Sequence, residues 1–198
     1  MTRHLRICRL APIALAIAMP ASILAQSTSG PARSTVATPP PHDGQHDFDV
    51  LLGKFKFHLK QLVNPLTGSK KWIEFDGTGT CRPVWDGRAQ IDEVELDGPG
   101  GHIEGLTLRV YNPESHQWYL NWMSSRTVGP FGPPTVGSFE NARGEFFDQE
   151  VQKGRMILVR YVWSQMSRTS AHFEQSFSDD WGKTWEVNWI SDQVRIGS

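Results

Sequence analysis

From Phe55 to Val194 the chain alternates apolar and polar residues with a period of two, and clusters of Gly, Pro, Asn and Asp interrupt it at regular intervals. Phe55, Phe57 and Leu59 set against Lys54, Lys56, His58 and Lys60 give a strand with one wet face. The same reading predicts strands over 54–60, 72–80, 89–96, 102–111, 118–124, 135–140, 145–151, 156–165, 171–178 and 184–194. Gly77 and Gly79 mark a bend or bulge in the second of these. Outside one turn at 48–52, no capped amphipathic stretch reaches helical length. About ten strands joined by tight turns describe an all-β fold, an up-and-down antiparallel sheet. An open sheet of that kind exposes two unpaired edges, so closure into a β-barrel is expected. A barrel of this size holds a cavity for one small ligand.

The N-terminus carries other information. Arg3, Arg6 and Arg9 precede an apolar run from Leu10 to Leu24, and Ile23-Leu24-Ala25 ends in a small residue. Residues 1–25 therefore read as a secretory signal peptide cleaved before Gln26, which places the protein in the periplasm or outside the cell. A retained anchor is the alternative, but the run is shorter than the ~20 residues a membrane span needs. Lipoprotein processing needs a Cys where Gln26 stands. Residues 26–47, rich in Ser, Thr, Pro and Ala, read as a disordered linker, and 48–196 as the barrel domain. Cleavage removes three arginines and no acid from a chain with 20 Lys and Arg against 21 Asp and Glu. The mature chain is then mildly acidic, which argues against a nucleic-acid partner. Cys8 leaves with the signal, so Cys81 is the one remaining thiol and no internal disulfide forms. His42 and His46 stand four apart, but Gly44 and the adjacent prolines oppose the helix that would pair them on a metal. No metal is expected.

Two resemblances add to this reading. Ser178-Asp179-Asp180-Trp181-Gly182-Lys183-Thr184-Trp185 is similar to the Asp-box turn of sialidase propellers. There the Asp carboxylate holds loop backbone N–H groups, the Gly takes positive φ and the final Trp packs beneath; the role is scaffolding. Phe48-Asp49-Val50-Leu51-Leu52-Gly53-Lys54-Phe55 resembles the opening of lipocalin-like (calycin) barrels, in which a short turn ending in G-x-W closes one mouth. Leu106–Pro113, Trp118–Trp122, Val162–Ser164, Phe173–Ser178 and Trp185–Trp189 extend the likeness to a bacterial branch of that superfamily. Phe55 stands where those barrels carry Trp. The resemblance implies a barrel with a ligand cavity. No His follows His172 to serve as the iron ligand of the haem-binding branch, so no cofactor is expected.

Charged residues that break the apolar/polar split are the ligand-site candidates. Arg160 sits between Leu158 and Val162, although Val159, Tyr161 and Trp163 make the other face equally apolar. Glu93 lies near Ile91 and Val94; Arg109 shares a face with Thr107 and Tyr111; Glu174 shares one with His172 and Ser176; Glu186 shares one with Asn188. A buried Arg must be paired, so Arg109 or Arg160 against Glu93, Glu174 or Glu186 would form an internal network, with Tyr111, Trp122 and Trp189 as apolar walls. The competing reading puts these charges in solvent as cross-strand pairs worth at most ~1 kcal/mol each.

The first functional expectation is an exported barrel that binds a small, partly apolar molecule, with no stable membrane anchor once the signal is removed. The second is an isomerase, cyclase or lyase in which Glu174 or Glu186 is the base and Arg109 or Arg160 the stabiliser. The third is a carbohydrate-binding β-sandwich, since eight Trp offer faces for sugars. Ser176 and His172 stand four apart and so share a face, but the pattern does not approach the signature of a nucleophilic triad.

Overall fold

A computed structural model describes residues 43–198 except Val128. The expected signal peptide, His42 and the expected linker up to residue 42 lie outside the described residues.

Ten strands run in order: β1 (Gly53–Leu62), β2 (Trp72–Val84), β3 (Ala89–Asp97), β4 (Ile103–Asn112), β5 (Gln117–Ser124), β6 (Thr135–Glu140), β7 (Arg143–Gln152), β8 (Arg155–Ser164), β9 (Ser170–Ser178) and β10 (Glu186–Gly197). Each pairs antiparallel with its sequence neighbour, and β10 returns to pair with β1. Eight residue pairs, from Lys54↔Gly197 to Gln61↔Trp189, close that seam. Closure satisfies the backbone groups that an open sheet would leave at its edges. β2 keeps its register with both neighbours through Gly77 and Gly79, so the expected bulge is not there. The register shifts instead at β10, against β9 between Val187 and Trp189 and against β1 between Arg195 and Gly197.

The ends of the barrel differ. One end is closed by the chain before β1. Phe48, fully buried, sits edge-on to Trp118 at 5.2 Å, to Phe139 at 4.9 Å and to Trp163 at 5.6 Å between ring centroids. The 3-10 turn Asp49–Leu51 follows it. Ordered packing already begins at Asp43, upstream of Phe48. Trp118 Nε1 donates to the Gly44 carbonyl at 2.9 Å, and the Tyr111 hydroxyl donates to the Asp43 carboxylate at 2.7 Å. Arg195 stacks its guanidinium 4.6 Å from the Phe55 ring and donates to the carbonyls of Val50 and Leu52. A single cation thus ties the last strand to the closing turn, and its stacking uses the aromatic face that Phe55 supplies.

The other end carries the longer loops. In the β1–β2 turn, the Leu66 N–H donates to the Glu186 carboxylate, and the Leu66 side chain packs on Ile157, Val159 and Phe177. The β9–β10 turn is built as an Asp box. Asp180 Oδ1 accepts from the Thr184 N–H at 2.9 Å and from the Ser178 hydroxyl at 2.8 Å, and Oδ2 accepts from the Thr184 hydroxyl at 2.7 Å. Gly182 has φ of +82°, a conformation that favours glycine. Trp185 folds back on the outer wall, 4.6 Å from the Arg160 guanidinium carbon and 6.2 Å from the Phe147 ring.

The hydrogen bonds from Thr184 and Ser178 pull the Asp180 carboxyl down to about 2. A carboxylate with a lowered folded pKa stabilises above its unfolded value near 3.9, and that contribution disappears as pH falls through the folded value. Asp180→Asn is therefore expected to lower the melting temperature at pH 7. The gap to the parent should shrink steadily below pH 4 in thermal melts. A gap independent of pH would mean the carboxylate charge has no part in the turn.

Candidate functional site

The barrel interior is not filled. A cavity of about 270 Å³ lies inside the barrel, just below the ~300–1,000 Å³ typical of ligand pockets. Its walls follow from strand parity. Phe57, Leu59 and Gln61 of β1 face it, as do Tyr161 and Trp163 of β8, and Trp189 and Ser191 of β10. Aromatic rings dominate. Trp122 and Trp189 meet edge-on at 6.3 Å between centroids, and Phe173 lies 4.9 Å from Trp163. Close approach makes room for Trp122: a Cβ added to Gly105 would lie 2.0 Å from that indole. The wall is thinnest between β5 and β7. There β6 pairs with β5 only over Thr135–Gly137, and Trp122 and Glu150 face the cavity from either side.

One charge lies deep inside. Arg109 is 1% exposed and donates through Nη2 to the Asp92 carboxylate. Its guanidinium carbon is 4.8 Å from the Phe48 ring centroid and 5.3 Å from that of Trp163. Cys81 Sγ, 3.7 Å from Nη1, donates in turn to the Gln90 amide oxygen at 3.6 Å. Gln90 Nε2 donates to Asp49 at 3.1 Å, which connects the network to the closing turn. Burial pushes the Arg109 pKa down, but Asp92 and Cys81 push it up by more, so the group stays charged.

Burial first, and then Asp92, push the Cys81 thiol far above its ordinary range. It is a buried neutral thiol without nucleophilic character. A thiol reagent such as a disulfide-exchange dye should leave Cys81 unmodified in the native protein and label it fully in denaturant. Stoichiometric native labelling would contradict this placement.

Of the nine residues singled out from the sequence, Arg109, Trp122 and Trp189 face the cavity. Five of the other six depart from the inward placement as follows. Glu93 is exposed on the outer wall; the inward residue of β3 is its neighbour Asp92. Arg160 is outside, beneath Trp185. Glu174 is outside, 3.3 Å from His172, which also bonds Asp192 at 2.7 Å. Glu186 holds the Leu66 turn. Tyr111 is buried in the closed end against Asp43, where burial and then that carboxylate push its hydroxyl up to about 12. Asn188, the sixth, sits in the β10 bulge and accepts from cavity-facing Gln175 at 2.8 Å, one step behind the wall.

The inward carboxylates are Asp92 and Glu150, together with polar Gln175, Ser191 and Gln193. Parity held the clue for Asp92, since it shares a face with Val94 and Leu96 while Glu93 shares one with Ile91 and Glu95. Burial first, then Asp148, push the Glu150 carboxyl up. Among the described residues, no three His, Cys, Asp or Glu side chains converge in a way that could hold a metal ion.

No family model matches the chain, and no curated protein matches it. Among solved structures, a de novo designed fluorescence-activating β-barrel is similar over 78% of this chain and 99% of that chain, at 12% identity and a TM-score of 0.39. So loose an overlap bears on neither ligand nor activity, and the barrel rests on its own strand pairing.

Proposed function

We propose that this protein is an exported lipocalin-like (calycin) barrel that binds a small, partly apolar molecule in its interior. One observation carries the reading: a closed ten-strand barrel whose centre is a cavity of about 270 Å³ instead of packed hydrocarbon. Well-packed interiors hold few voids larger than a water molecule, so a space of this size kept open by rings on five or more strands is a binding feature. The short turn before Gly53, which closes one mouth, supports the calycin relationship, and the charged and apolar segments at residues 1–25 support export.

The two bases named for the enzyme alternative, Glu174 and Glu186, do not line the cavity, and the inward Asp92 is bound to Arg109. The carbohydrate-binding sandwich does not form, because one sheet closes on itself. Native mass spectrometry of the purified protein, released gently from its source compartment, tests the reading. The expected result is a mass excess of a few hundred daltons that disappears on denaturation. An empty barrel whose melting temperature does not move with any member of a diverse fragment library overturns it.

A further inference from the structure

Three polar atoms in the cavity walls lack partners. Arg109 Nε, Trp163 Nε1 and Ser191 Oγ are sealed from water and make no hydrogen bond among the described residues. All three belong to side chains that line the same cavity. Arg109 and Trp163 are adjacent at the closed end, 5.3 Å apart from guanidinium carbon to ring centroid. Ser191 lies on the same cross-strand row as Trp163, since Trp163 pairs with Phe173 and Phe173 with Ser191. Buried donors without acceptors are costly, and most native proteins leave very few. Two of these atoms can only donate, and the hydroxyl can donate as well. The group that satisfies them is therefore an acceptor.

The charges choose among acceptors. Arg109 is already bound to Asp92, and among the described residues no second cation lines the cavity. A carboxylate seated at Arg109 would be desolvated beside Asp92 with no free cation to meet it, which costs more than its hydrogen bonds return. An amine would present N–H groups to N–H groups at the closed end. A neutral oxygen has neither difficulty.

We infer that the occupant of this cavity is a mostly apolar molecule ending in a neutral oxygen acceptor, a carbonyl of the ketone, ester, lactone or amide kind, seated against Arg109, Trp163 and Ser191. This rests on the proposal that the cavity is a ligand site.

A matched series of probes sharing one apolar body tests it: 2-acetylnaphthalene, 2-ethylnaphthalene, 2-naphthoate and 2-(aminomethyl)naphthalene, titrated by calorimetry into the purified protein. The ketone is expected to bind about tenfold more tightly than the ethyl compound, as one or two net hydrogen bonds imply, and more tightly than either charged probe. Trp163→Phe keeps an aromatic ring, a smaller one, and removes the N–H. It should cut the ketone's advantage over ethylnaphthalene at least about threefold, whatever the smaller ring does to both affinities together. Ser191→Ala, a second mild change, should do the same if Trp163→Phe fails to fold. Equal affinity for ketone and ethyl probes overturns the acceptor inference and leaves the carrier reading standing. So does tightest binding of the carboxylate or the amine. Binding of none of the four counts against the cavity as a ligand site, and the inference falls with it.

Discussion

Arg109→Met is expected to destabilise the barrel by about 3–5 kcal/mol, the usual cost of removing one partner from a buried ion pair. The reason is what remains. Asp92, with a side chain only 16% exposed, would keep its charge inside the barrel with no cation to meet it. Cys81 would lose a contact, and Phe48 and Trp163 would lose the cation between their rings. Urea denaturation measures the loss. Adding Asp92→Leu to the same chain should recover most of it, since an apolar pair of similar volume often replaces a buried ion pair at little cost. If Arg109→Met alone costs under ~1 kcal/mol, Asp92 reaches solvent through the cavity, and the buried-pair description of the closed end is wrong.

Phe48→Ala should be of comparable size, about 3–5 kcal/mol, because it removes a fully buried ring and leaves a hole that the neighbours fill only in part. Phe48 is the plug. Four aromatic rings lie within 5.7 Å of its centroid, and together they form the core of the closed end. The near-ultraviolet circular dichroism of Trp118 and Trp163 should weaken along with the stability. A variant that keeps parental stability and spectrum would mean that the chain before β1 is not part of the folded unit. Phe48→Leu, which refills most of the volume, is expected to recover at least half of the loss.

Strand parity was read correctly wherever one face is plainly wetter than the other. β1 is the clearest example: lysines on one side and Phe55, Phe57 and Leu59 on the other leave a single way to close. β3 contains the same signal, but Glu93 stands one position out of phase with its apolar face. A shift of one residue moves a side chain from cavity to solvent, so Asp92 took the place expected of Glu93. β8 could not be resolved locally. Both of its faces are apolar, because its outer face is also covered, by Trp185 of the Asp-box turn. The bulge in β10 breaks period two between Val187 and Trp189, and any assignment of Glu186 and Asn188 by simple alternation fails there.

Local chemistry was enough to set the strand count, the turns and the Asp box, because these depend on residues a few positions apart: side-chain alternation, glycine at positive φ, a carboxylate beside backbone N–H groups. Closure also followed from the chain, since unpaired edges are unfavourable in any such sheet. The partner of Arg109, the inward carboxylates and the unpartnered donors around the cavity came from elsewhere. They depend on which strand lies opposite which across the barrel and on what covers its outside. Those are long-range relations between residues 17 to more than 100 positions apart, as with Arg109 and Asp92 or Leu66 and Glu186, and alternation along a single strand does not encode them.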